Sequence, residues 1–175
     1  NGICLQPVDG TILAGCPAGD PNFVQAANDA RVALAEGRID DILTLAEREP
    51  LMATRILTVC GNKLLDFHIG AMPIKQSDQF TPRFEATVNR ALVKILTPAT
   101  TAPTVCSVDR LHRGVLLASL PQADGGLALT PITVKAPAAF LRSLVALVAE
   151  PAFDDLSCFA DIAADAYHRI CDLLS

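Results

Sequence analysis

The stretch from Asp154 to Leu174 carries apolar residues at Leu156, Phe159, Ile162, Ala163, Ala166, Tyr167, Ile170, Leu173 and Leu174. That spacing follows the helical period of about 3.6 residues, so it predicts a closing helix with one broad face buried against other helices. Its other side is thinly charged, with Asp155, Asp161, Asp165, His168, Arg169 and Asp172 scattered along it. A chain that ends in so apolar a helix, and holds several more helical segments before it, folds as an all-α globular domain. Its expected business is binding or assembly.

The chain has 175 residues, of which 51% are apolar, which is enough for one compact domain with a substantial core. A net charge of −5 and a pI near 5.0 exclude the clustered basic surface that nucleic acid requires, and a polybasic membrane-surface role with it. The longest apolar run, around Leu144 to Ala149, is bounded by Arg142 and Glu150 and is too short to span a bilayer. No transmembrane segment is expected. Beginning at Asn1 with no signal-like stretch, the sequence reads as a mature or trimmed chain.

Six cysteines, Cys4, Cys16, Cys60, Cys106, Cys158 and Cys171, lie at wide and irregular spacings without a CxxC pair, which removes zinc-ribbon and thioredoxin-type readings. Their number favours disulfides in an oxidising compartment over free buried thiols in a reducing one. Cys158 and Cys171 fall thirteen residues apart on one predicted helix. That is about 20 Å along the axis, whereas a disulfide needs Cα atoms within about 7 Å. They cannot pair with each other on an unbroken helix. Cys4 with Cys16 is the natural local bridge, because Pro7, Asp9, Gly10 and Gly15 between them permit a tight return. The remaining pairings stay open.

In chain order, residues 1–21 are dense in Gly and Pro, which excludes a long regular element. Asp20 and Pro21 start a helix that Gly37 is expected to stop at Glu36, with Arg38 to Glu47 a second short helix or a bent continuation. Pro50 opens a third, from Leu51 to about His68, ended by Gly70; Ala71 to Phe80 reads as a connection. Thr81 and Pro82 start a helix with a clean stripe of Phe84, Val88, Ala91, Leu92, Ile95 and Leu96. Pro98 to Pro103 is a linker, and a fifth helix runs from about Val105 to Ser119. Residues 121–136 leave room for a short β-hairpin, its second strand confined to an edge by Pro131, but read best as a long ordered loop. Pro137 is expected to open a sixth helix to Ala149, ahead of the closing one. The expectation is a single-domain bundle or shell of about six to seven helices behind a loop-rich N-terminal segment, residues 1–20.

Constellations that could carry chemistry are sparse. Asp161, Asp165, His168 and Cys171 share one helical stripe, and His168 with Cys171 could give two ligands to a metal, though a closed site needs more from elsewhere. The plainer reading is a solvated edge. Asp109 and His112 lie one turn apart near Ser107, without the oxyanion site or nucleophile elbow that acyl transfer demands. No phosphate loop or metal motif is present, and the chain reads as a non-enzyme. His68 ends an apolar segment, Leu65-Asp66-Phe67-His68-Ile69-Gly70. A histidine there commonly caps the last turn, where its partial positive charge suits the helix dipole. It can also ligate a metal centre, the magnesium of a chlorophyll included.

Three short segments carry a resemblance. Asn1-Gly2-Ile3-Cys4-Leu5-Gln6, then Val88-Asn89-Arg90-Ala91-Leu92, then Val134-Lys135-Ala136-Pro137 through Ser143-Leu144-Val145, are similar, in the same order, to segments of the peridinin-chlorophyll a-binding proteins, the water-soluble light-harvesting proteins of dinoflagellates. They cover about a fifth of the chain. The resemblance implies an all-α shell around chlorophyll a and carotenoid in or near the thylakoid lumen, as a pigment-binding protein or an accessory subunit of a photosynthetic complex. The family places a histidine pair after an acidic-Pro helix start; after Glu49-Pro50 this chain has Cys60 and Gly61 at those positions, so that role does not transfer. His68 would have to serve the pigment from a shifted position. Two readings stand beside it: a disulfide-stapled structural subunit of a larger protein assembly, and a carrier of another apolar ligand in a helical cavity.

Overall fold

A computed structural model describes residues 10–13, 15–97, 108–149 and 160–174. It opens with a small antiparallel hairpin, β1 (Gly10–Leu13) and β2 (Cys16–Gly19), in which Gly10 faces Gly19 and Leu13 faces Cys16. The breakers in this region exclude long elements but accommodate these two short strands, because Gly15 at φ +84° turns the chain where an L side chain would be strained. Everything after it is helical or turn, as the all-α expectation has it.

Helix α1 (Pro21–Ala46) is the longest element. Asp20 caps it by accepting from the Asn22 backbone N–H at 2.8 Å, and Pro21 sits in the first turn where no donor is wanted. Gly37 does not stop it. A single glycine costs a helix only about 1 kcal/mol, and the flanking Val32, Ala35, Ile39, Ile42 and Leu43 repay that by packing into the core.

The expected third helix is broken. Helix α2 (Pro50–Val59) ends at Cys60, a 3₁₀ turn covers Gly61–Lys63, and α3 (Asp66–Ala71) follows. The break brings Gly61 against the core, where a Cβ would lie 3.0 Å from Leu57, 3.1 Å from Ile39 and 3.3 Å from Ile42. Within the expected connection lies a one-turn helix, α4 (Ile74–Ser77). Helix α5 (Thr81–Leu96) agrees with its stripe: Phe84, Val88, Ala91, Leu92 and Ile95 are buried, and Leu96 is left outside.

Helix α6 (Val108–Ser119) is followed by an ordered loop. Leu127 and Leu129 donate backbone N–H bonds to the Ala118 carbonyl and Ala128 donates to Leu120, so the loop folds back on the end of α6. The hairpin considered for residues 121–136 does not form: residues 122–124 make a 3₁₀ turn, and Pro121 and Pro131 bring no ladder donors. Helix α7 (Ile132–Val148) begins five residues before Pro137, which lies buried inside it. Its early start has a tertiary cause. Glu85 Oε2 on α5 accepts from the Thr133 N–H at 3.2 Å and its hydroxyl at 2.6 Å, satisfying one of the donors that a helix start leaves open.

One core joins α1, α2 and α5 with Ile69 of α3 and Ile132 and Ala136 of α7. A smaller cluster of Ile74, Phe140, Leu144 and Ala166 ties α4 and α7 to α8 (Ala160–Leu174). The closing helix is therefore peripheral. Among its described residues only Ala166 is buried, while Tyr167, Leu173 and Leu174 are exposed, so the broad buried face expected of it is reduced to one edge. The chain is organised around α1 and α5 instead, and residues 154–159 of the predicted closing helix lie outside the described residues. Among the described residues no helix is long and apolar enough to cross a membrane.

Candidate functional site

A cleft of about 230 Å³ lies between α1 and the 64–68 corner, lined by Arg31, Leu34, Ala35, Arg38, Leu64, Leu65 and His68. Its geometry follows from the break after α2. An unbroken helix from Leu51 to His68 would carry the last residues away along one axis, whereas the 3₁₀ turn swings Leu64, Leu65 and His68 back against α1. The Leu65 and Ala35 side chains seal its floor from beneath, both being buried in the core.

Arg31 and Arg38 are two turns apart on α1, on a face that also holds the buried Asn28 and Ala35. Arg31 Nη1 and His68 Nδ1 are buried without a hydrogen-bond partner, as are both amide atoms of Asn28. Buried polar atoms nearly always find partners, because leaving one bare costs about 1–3 kcal/mol. Burial, and then the nearby Arg31 guanidinium, hold the His68 imidazole below the usual histidine range. Near neutral pH it is therefore the uncharged ring, with one nitrogen lone pair available. The Phe67 ring meets His68 edge-on at 5.7 Å between centroids.

The hairpin closes over the same region. A Cβ on Gly15 would lie 3.4 Å from the Phe67 ring, and Cys16 feels the Arg31 charge. Burial pushes the Cys16 thiol up, and Arg31 offsets part of that. Cys16 is thus a protonated, half-buried thiol rather than a nucleophile.

The remaining expected site residues are dispersed. Cys16, Cys60 and Cys171 all carry free thiols, on β2, at the end of α2 and on α8. In the structure none of the three joins the disulfides that the cysteine count favours, while Cys4, Cys106 and Cys158 lie outside the described residues. The Cys171 thiol sits beside the Tyr167 phenol and raises it. Asp165, on the stripe considered for a metal, is engaged by Lys75 at 2.8 Å, which pins α8 to α4, and His168 is exposed. His112 is exposed, and Ser107 lies outside the described residues. No group of three metal-ligating side chains occurs among the described residues.

Of the expected site residues, then, the structure brings His68 and Cys16 to one neighbourhood, and adds Arg31, Arg38 and Asn28, which the sequence reading passed over. One signal was available: Asn28 and Arg31 recur with Val24, Val32 and Ala35 on the apolar stripe of α1, where polar and charged side chains are out of place.

No protein-family model matches the chain, and neither a curated protein nor a solved structure matches it.

Proposed function

We propose that this protein is a non-enzymatic helical binding protein that holds a small, largely apolar ligand in the cleft beside His68. The observation that carries this reading is the pairing of two cleft residues, Arg31 and His68, that each keep a buried nitrogen without a partner, with apolar walls from Leu34, Ala35, Leu64 and Leu65. Binding sites combine mostly apolar linings with a few polar groups that orient the ligand, and this cleft has that composition. A catalytic reading would need a nucleophile or acid/base partner within reach of His68. Its charged companions in the cleft are both guanidiniums, which neither accept nor release protons in the ordinary pH range.

Pigment binding, as the resemblance implies, is the special case in which the neutral imidazole of His68 ligates the magnesium of chlorophyll a, with carotenoid packed on the helices. The test covers both. Protein purified from its native source is extracted with organic solvent and its absorption spectrum recorded. A stoichiometric apolar compound without visible bands supports the carrier; chlorophyll or carotenoid bands support the pigment protein; an empty extract sinks both.

A second reading, a subunit of a larger protein assembly, draws on α8, whose Tyr167, Leu173 and Leu174 stay exposed beside the exposed Val145 and Val148 of α7. Sizing of the native material distinguishes it: a particle well above the 18.5 kDa chain mass supports assembly, and a monomer removes it.

A further inference from the structure

We propose that the ligand of the His68 cleft is a small organic anion, a carboxylate on a short apolar body, whose headgroup is clasped by Arg31 and Arg38. The inference deepens the ligand-binding reading above and rests on it. The cleft is lined by two guanidiniums and an imidazole, and no carboxylate lines it, although the chain as a whole carries a net charge of −5. Other cations of the fold are used internally: Arg83 holds Glu36, Lys75 holds Asp165 and Lys135 holds Asp66. Arg31 and Arg38 form no ion pair among the described residues, and a nitrogen of Arg31 is buried unpaired. A cation left unpaired beside an apolar wall is costly unless an anion joins it.

The geometry favours a carboxylate. Arg31 and Arg38 stand seven residues apart on α1, a rise of about 10.5 Å, and both reach the same cleft. Their planar forks match the two coplanar oxygens of a carboxylate in a way that a point charge does not. The volume of about 230 Å³ limits the body. It falls below the roughly 300–1,000 Å³ typical of drug-sized sites. Leu34, 62% exposed at the rim, provides an apolar ledge along which a chain can leave the cleft.

The test is calorimetric titration of the whole chain with octanoate and, separately, with 1-octanol, which has the same body and no charge. Octanoate should bind one to one and at least about tenfold more tightly than octanol, the worth of a single charge-assisted bond. The Arg31→Gln/Arg38→Gln double variant should lose at least about tenfold in octanoate affinity and little in octanol affinity. Leu34→Asp, a change at an exposed position that leaves the core untouched, should weaken octanoate selectively by placing a carboxylate at the mouth. In the wild type, the His68 ring-proton resonance, assigned with His68→Gln, should shift on titration with octanoate. Equal binding of octanoate and octanol, or octanoate binding that ignores both sets of substitutions, overturns the anion assignment and leaves the apolar-ligand reading standing. If neither compound binds, both fail.

Discussion

Lys135 Nζ lies 2.6 Å from Asp66 Oδ1 and 2.9 Å from the Asn62 carbonyl oxygen, so one ammonium on α7 holds both the 3₁₀ turn and the first residue of α3. The side chains are 21% and 40% exposed, which places the pair between a surface bridge and a buried one. Its position gives it a role beyond its energy. The corner it clamps is the one that turns Leu64, Leu65 and His68 toward α1 and so shapes the cleft.

Replacing Lys135 with Met keeps most of the apolar stem and removes both donated bonds. Allowing for the exposure of Asp66, a loss of about 1–2 kcal/mol is expected in urea unfolding. Asp66→Asn should cost less, because the bond to the Asn62 carbonyl survives. A Lys135→Met protein as stable as the wild type would show that the corner is held by packing alone.

Gly37 lies in the interior of α1, exposed, with nothing within 4 Å of where a Cβ would stand. Gly37→Ala should therefore stabilise the protein by about 0.5–1 kcal/mol through helix propensity and reduced freedom of the unfolded chain. Gly126→Ala should do the opposite, since its Cβ would lie 2.0 Å from the Leu120 carbonyl oxygen, a backbone atom that cannot swing aside. Midpoints of urea unfolding for the two variants should move in opposite directions.

Gly61 sets the close approach of the 3₁₀ turn to α1. Leu57 and Ile39 are fully buried, so neither can yield to a new methyl group 3.0–3.1 Å away. Gly61→Ala is expected to cost about 1–3 kcal/mol, as overpacking does. Combining it with Ile39→Val should recover part of the loss, because the two sites share one space. Simple additivity in the double variant would show that the methyl finds room elsewhere.

His68 predicts a pH dependence of stability. Its folded-state pKa is lowered by burial and by Arg31, while the unfolded ring titrates near the ordinary 6.5. Above that value the ring is neutral in both states and contributes nothing. As the pH falls below it the unfolded chain takes up the proton first, so stability declines until the folded-state pKa is passed, and then levels off. Glu36 acts in a lower window. Its carboxyl is held below the usual range chiefly by the hydrogen bond from Arg83, so its contribution, present above 4.5, is lost as the pH falls through the lowered value. Thermal melts from pH 7.5 to 4 should show the first decline in the wild type and not in His68→Gln. A His68→Gln profile that falls identically would assign the decline to other groups.

Much of the helical outline was legible because it depends on local physics. Asp20 with Pro21 and Thr81 with Pro82 mark helix starts by the backbone donors they satisfy or lack, and the Phe84 to Ile95 stripe fixes which face of α5 is buried. These signals lie within one or two turns of the residues they govern. Gly37 and Pro137 misled for the same reason: each is a local breaker whose cost is small beside what its helix gains, from core packing in α1 and, in α7, from the Glu85 carboxylate, a tertiary cap 48 residues away.

The sequence by itself determined the all-α class, the acidic surface that excludes nucleic acid, and the stripe of α5, since composition and period suffice for each. Only the tertiary structure decided that α1 and α5, rather than the closing helix, form the centre. It also decided that the third helix breaks at Gly61 and that Arg31, Arg38 and His68 meet at one cleft. The reason is physical. Whether an apolar face is covered, and which polar groups end up unpaired, depends on contacts between segments far apart in the chain, and no local pattern records them.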